Sequence, residues 1–150
     1  MLSDYEKIYQ ELNIVFSEYY LSYILYNKNA QKFHAYNLTT QQDTILFFVK
    51  DNPRITANEI AKKFTISKSA VSQVLSKLES QKFIKREANP NNHREFFIVL
   101  AEKGLTYQKL SEEADKDFLM KHFSGIDLEQ LQNIVQTMKK VNASISSSNR

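Results

Sequence analysis

Between Ser67 and Phe83 the apolar residues Ala70, Val71, Val74, Leu75 and Leu78 recur at three- and four-residue spacing, the one-faced stripe of an amphipathic helix. The opposite face carries Lys68, Ser69, Ser72, Gln73, Ser76 and Lys77, with no carboxylate before Glu79. An exposed helix held by its own surface normally mixes acids with bases four residues apart. This face offers donors only, which suits a polyanion. Ser67 is a fitting N-cap, and Lys68 follows at once where the helix dipole favours an acid, so the site points to an external phosphate. A solvated helix with a chance run of Ser and Lys would look the same in isolation, and the neighbouring segments decide between the two readings.

Upstream, Thr56 and Glu59 form a capping box that opens a short helix with Ile60, Ala61 and Phe64 inward, and Thr65-Ile66 makes a turn. Two short helices joined tightly, the second rich in donors, are the helix-turn-helix arrangement whose second helix enters a major groove. Downstream, Phe83–Glu87 and Glu95–Ala101 read as strands around the turn-rich segment from Ala88 to His93. A hairpin directly after the recognition helix is a wing, with Arg94 at its tip in reach of a minor groove. Arg54-Ile55 adds a short third strand.

The flanking segments are helical in pattern. From Ser3 to about Asn29, Tyr5, Ile8, Leu12, Val15, Phe16, Tyr19, Tyr23 and Ile24 form a wide aromatic stripe, which implies packing on a later helix or on a second subunit. The six tyrosines there suit ordinary packing or the lining of a small-molecule pocket. Asn27–Tyr36 loses periodicity and reads as a connection with room for a short helical piece, and a Thr39/Gln42 capping box opens a helix through Ile45, Leu46, Phe48 and Val49 that Asp51-Asn52-Pro53 stops. Glu102 to about Phe123 is helical, with Gly125 expected as a left-handed C-cap. Asp127 and Gln130 open a last helix along Leu128, Leu131, Ile134, Val135, Met138 and Val141, and the tail SISSSNR is expected to fray. The fold expected is mainly α with a small antiparallel β-wing. It comprises a winged helix-turn-helix over 38–101 and a helical dimerisation region over 1–37 and 102–150, interlaced as one domain. Dimerisation would set two recognition helices one DNA turn apart, roughly 34 Å.

The order ITANEIAKKF, SKSAVSQVLSKLESQKFIKRE, NNHREFFIVLAEKG resembles the MarR family of bacterial transcriptional regulators, over nearly the whole chain. Its most specific piece is the wing. MarR-like proteins carry Asp-x-Arg there and a strand ending in Leu-Thr, and the matching residues here are Asn92, His93 and Arg94, then Val99, Leu100 and Ala101. Asn92 stands where the family's usual Asp would brace Arg94, and Ala101 replaces a Thr that commonly caps the next helix. The resemblance implies a homodimer with interlocking terminal helices, most simply a repressor of a pseudo-palindromic duplex. Ser67 and Ser69 would meet backbone phosphate, Ser72 and Gln73 would face base edges, Lys68 and Lys77 would neutralise phosphates, and Arg94 would enter the minor groove. It also implies an anionic or phenolic effector between the helical region and the winged module, against Phe16, Tyr19, Tyr20 and Tyr23.

Composition narrows the alternatives. Net charge is +3, yet Arg54 to Lys103 holds ten Lys and Arg against five acids, and the remainder ten against twelve. The basic excess therefore sits on the reading head. With two Gly and two Pro in 150 residues, long uninterrupted elements are expected. No cysteine is present, which excludes disulfides, Cys-ligated zinc and thiol-based sensing. His34, His93 and His122 lack the spacing of a helical metal pair, the Glu112-Glu113 and Asp115/Asp117 run reads as a solvated face, and no nucleophile motif or phosphate loop appears. The chain is expected to be no enzyme, to need no cofactor and to work in the cytoplasm. A winged-helix module that binds protein, or a metal-responsive regulator using the histidines, is the competing reading.

Overall fold

In the computed structural model, which describes residues 2–29 and 31–148, the chain is helical apart from one small sheet. The elements run α1 (Leu2–Asn29), α2 (Gln31–His34), α3 (Thr40–Asp51), β1 (Ile55–Thr56), α4 (Ala57–Phe64), α5 (Lys68–Ser80), β2 (Ile84–Ala88), β3 (Phe96–Leu100), α6 (Glu102–His122) and α7 (Leu128–Ser148). The sheet is antiparallel in the order β1-β3-β2, with Ile84 opposite Leu100, Arg86 opposite Ile98 and Ile55 opposite Ile98. Two compact units divide the chain, one ending at Ser111 and the other beginning at Glu112. Among the described residues no helix is long and apolar enough to cross a membrane.

Both capping boxes form. Thr39 accepts from the Gln42 amide while Gln42 reaches back to the Thr39 N–H, and Thr56 and Glu59 do the same at α4. These caps fix where α3 and α4 start, and hence the angle at which each lays its apolar face on the core. That core gathers Ile45, Leu46 and Val49 of α3, Ile60 and Ala61 of α4, Val71, Leu75 and Leu78 of α5, and Ile55, Ile84 and Ile98 of the sheet, with Phe83 and Tyr107.

The sequence expectations need three corrections. First, α5 ends at Ser80 and not at Phe83. Lys82 takes a left-handed conformation (φ 63°), and the Phe83 and Lys82 amides return to the Leu78 and Glu79 carbonyls at 2.9 Å each. The Phe83 side chain then folds back, fully buried, onto the same core. Second, Gly125 does not adopt positive φ. The end of α6 is closed by the Phe123 and Ser124 amides, both bonded to the Leu119 carbonyl. Third, the serine-rich tail is helical through Ser148, its hydroxyls turned back on carbonyls of the preceding turn, as in Ser146 to Asn142 at 2.9 Å. Asn149 and Arg150 lie outside the described residues. The short helical piece expected within the connection is α2, and Phe33 and Tyr36 pack beside the core. Ala30 is outside the description.

Phe33, Tyr36 and Phe83 surround Tyr107 with ring centroids 5.7, 5.0 and 6.2 Å away, and Lys103 lies 4.7 Å over the Phe83 ring. The Tyr107 hydroxyl donates to Asp43 of α3 at 2.7 Å. Burial raises the Asp43 carboxyl above its usual range, although that hydrogen bond pulls the other way. Burial and the facing Asp43 raise the phenol well above its ordinary value, so it remains a donor. The start of α6 is thereby locked to α3.

Backbone contacts reinforce that lock. The Ala101 amide donates to the Phe83 carbonyl (2.9 Å) and the Lys103 amide to the Lys82 carbonyl (3.2 Å). Gly104 is buried beside them, where a Cβ would collide with the Phe83 carbonyl oxygen and lie 3.2 Å from Leu100 Cδ2. Neither obstacle but Leu100 can swing aside. Gly104→Ala is therefore expected to destabilise the fold by about 1–3 kcal/mol or more, read as a fall in the urea midpoint. An unchanged midpoint would mean that α6 is less tightly seated than described.

Candidate nucleic-acid interface

The side chains singled out on α5 are all on its outer face. Val71, Leu75 and Leu78 are 0% exposed, whereas Ser67, Lys68, Ser69, Ser72, Gln73, Ser76 and Lys77 are all exposed. Among the described residues, Ser69, Ser72, Gln73 and Ser76 make no side-chain hydrogen bond, and Lys68 and Lys77 have no ion-pair partner. The one acid of this helix, Glu79, is taken by Arg86 of β2 at 3.1 Å. The donor strip is thus uncommitted within the chain, and its direction is set by the buried face behind it.

Ser67 has a local duty as well. Its Oγ accepts from the Ala70 amide at 3.1 Å and caps α5, which leaves its hydroxyl proton directed elsewhere. Beside it opens a groove lined by Asn58, Glu59 and Lys62 of α4, Ile66 of the turn, and Lys68. The turn itself runs through Thr65 in a left-handed conformation (φ 53°), with the Ile66 amide bonded to the Ala61 carbonyl at 3.1 Å. A β-branched residue there is costly, and the buried faces of α4 and α5 on either side hold it.

The wing tip is built by three asparagines and a glutamate. Asn89, nearly buried, accepts from the Asn91 amide at 3.0 Å, and Asn92 Oδ1 accepts from the Arg94 amide at 3.1 Å. Asn92 therefore braces the backbone of Arg94 and not its guanidinium. That guanidinium is exposed and has no partner among the described residues. Glu95 accepts from Asn58 of α4 at 2.6 Å and from Asn92 at 3.3 Å. Sequence reading missed Asn58 and Glu95, since they lie 37 positions apart and only the Asn-rich turn was visible.

The MarR family profile matches residues 36–95, from just after α2 through both helices and β2 to the wing tip. The chain is 27% identical over 124 residues to the HTH-type transcriptional regulator MgrA of Staphylococcus aureus, covering 77% of this chain and 84% of that protein. Over residues 36–95 the chain is similar to the MarR family. Solved structures agree in architecture. The Streptococcus pneumoniae FabT–DNA complex superposes with a TM-score of 0.76 at 16% identity, covering 93% of this chain and 98% of that one. A Methanosarcina mazei MarR regulator gives 0.69 at 17% identity, over 92% and 98%.

The remaining candidates are placed less informatively. Phe16, Tyr19 and Tyr20 are exposed along α1 and Tyr23 is half-buried, with the Tyr19 and Tyr23 rings stacked 6.2 Å apart. None of the four lines the groove beside Ser67 or the small cleft between α3 and α6 at Leu46, Lys50 and Tyr107. His34 ends α2, His93 is in the wing turn, and His122 lies against the Phe118 ring at 4.8 Å. Among the described residues no three His, Asp or Glu side chains gather as a metal-binding group.

Replacing Ser67 by Ala separates its two roles. Loss of the cap is expected to lower stability by about 0.5–2 kcal/mol in chemical denaturation, while Ser69→Ala, whose hydroxyl caps nothing, leaves the midpoint unchanged. Equal stability of the Ser67 variant and the parent would remove the cap from the account.

Proposed function

We propose that this chain is a homodimeric DNA-binding repressor that reads a pseudo-palindromic operator in the cytoplasm. The observation that carries the reading is the uncommitted donor strip Lys68–Lys77 on a helix whose opposite side chains Val71, Leu75 and Leu78 are fully buried. In this reading Ser67, Lys68, Ser69 and Lys77 meet phosphates and Ser72 and Gln73 meet base edges, where a bidentate Gln pairs with adenine. Arg94, unpaired at the wing tip, enters the minor groove. The DNA-bound state of the similar FabT structure supports the same use of this fold.

Two apolar faces support dimerisation. Along α1, Tyr5, Ile8, Tyr9, Ile14, Val15 and Tyr20 are all more than half exposed. In α7 no residue is buried, and Leu128 (68%), Ile134 and Ile145 lie open. Such stripes mark surfaces that a partner covers, and a second copy fits the twofold symmetry of an inverted repeat. Regions 1–37 and 102–150 would then supply the interface. An anionic or phenolic effector against Phe16, Tyr19, Tyr20 and Tyr23 would act by shifting the spacing of the two reading heads.

With Lys68, Lys77 and Arg94 each neutralising one phosphate per protomer, the slope of log affinity against log salt is expected to be roughly −5 for a dimer. Arg94→Ala should weaken binding about tenfold or more and flatten that slope by about 2, with the dimer intact by light scattering. Salt-insensitive binding, or a monomeric parent protein, would overturn the reading.

A further inference from the structure

We infer that Glu95 is a positioning residue for DNA binding: its carboxylate ties the wing tip to α4 and so holds Arg94 in place. The inference rests on the DNA-binding reading above. One oxygen, Oε1, takes the Asn58 amide at 2.6 Å, and Oε2 takes the Asn92 amide at 3.3 Å. Asn92 in turn accepts the Arg94 N–H at 3.1 Å and offers its own carbonyl to the Glu95 N–H at 3.1 Å. The chain from α4 to Arg94 is therefore continuous: Asn58, Glu95, Asn92, Arg94. Its first member sits in the first turn of α4, which Ile60 and Ala61 anchor in the core. Among the described residues, the Asn58–Glu95 bond is the one hydrogen bond that joins the segment from Asn89 to Glu95 to an element outside the wing. The same network gives a reason for the asparagine at 92. An aspartate there would face Glu95 with a second carboxylate and lose the donor.

The sign of the effect makes the role testable. Glu95 places a negative charge beside the expected phosphate path, so Coulomb repulsion alone says that removing it tightens binding. A positioning role says the opposite. Binding of the wild-type chain, Glu95→Ala, Arg94→Ala and the double variant to a fragment selected by the wild type would be measured by fluorescence anisotropy at one salt concentration. Glu95→Ala is expected to weaken binding about five- to tenfold when Arg94 is present. In the Arg94→Ala background it should weaken binding no further, or tighten it, because the repulsion is still relieved and no guanidinium is left to position. Tighter or equal binding of the single variant, or an undiminished loss in the Arg94→Ala background, would overturn the proposal. Asn58→Ala cuts the same tether from the surface of α4 and takes the place of Glu95→Ala should that variant not fold. Amide exchange at Arg94, faster in either variant, tests the tether even if the wild type binds no DNA, in which case the function fails and the tether stands. Unchanged exchange sinks the tether itself.

Discussion

Complete burial of Val71, Leu75 and Leu78 against α3, α4 and the sheet is the contact on which everything outward of it depends. Each such side chain stabilises the fold by roughly 1.5–3 kcal/mol, which is more than α5 alone would need to stay seated. The consequence is directional. A helix fixed on one face has its other face fixed too, so Ser72, Gln73 and Lys77 point one way without any hydrogen bond of their own to hold them. A donor strip presented like this loses little conformational freedom of the backbone when it meets a surface.

The elements around α5 serve that fixity from both ends. At its start, Ser67 caps the helix and the Thr65 turn sets the approach from α4. At its end, Lys82 reverses the chain so that Phe83 returns to the core, and the Lys82 and Phe83 carbonyls receive the Lys103 and Ala101 amides where the chain enters α6. Both reversals use non-glycine residues in left-handed backbone, at about 1–2 kcal/mol each. One of the two glycines is instead kept where a Cβ cannot fit, at Gly104. The rings around Tyr107 and its bond to Asp43 then join the same helix to α3, which makes the first turns of α6 part of the reading head.

Local signals carried much of this into the sequence. The two capping boxes, the donor face and the hairpin followed from local patterns, since each is written in one continuous stretch of chain. Where the signal was tertiary it failed. The helix reaches only Ser80, and Phe83 returns to the core through a reversal at Lys82, a non-glycine residue whose left-handed backbone no local pattern signals. Gly125 looked like a C-cap because glycine is cheap there, but the neighbouring amides closed the helix without it. Phe33 and Tyr36 gave no periodicity and still pack on Tyr107. The Asn58–Glu95 bond joins two elements far apart in the chain, and nothing at either position announces it.

The central claim is that the outer face of α5 reads base sequence, and selection of DNA fragments from a random pool by the parent protein and by Gln73→Ala tests it most directly. The account predicts an inverted repeat for the parent and, for the variant, lost discrimination at one base pair in each half-site with the rest of the site unchanged. Identical base preferences in the two proteins, or no enriched sequence for the parent, would contradict it.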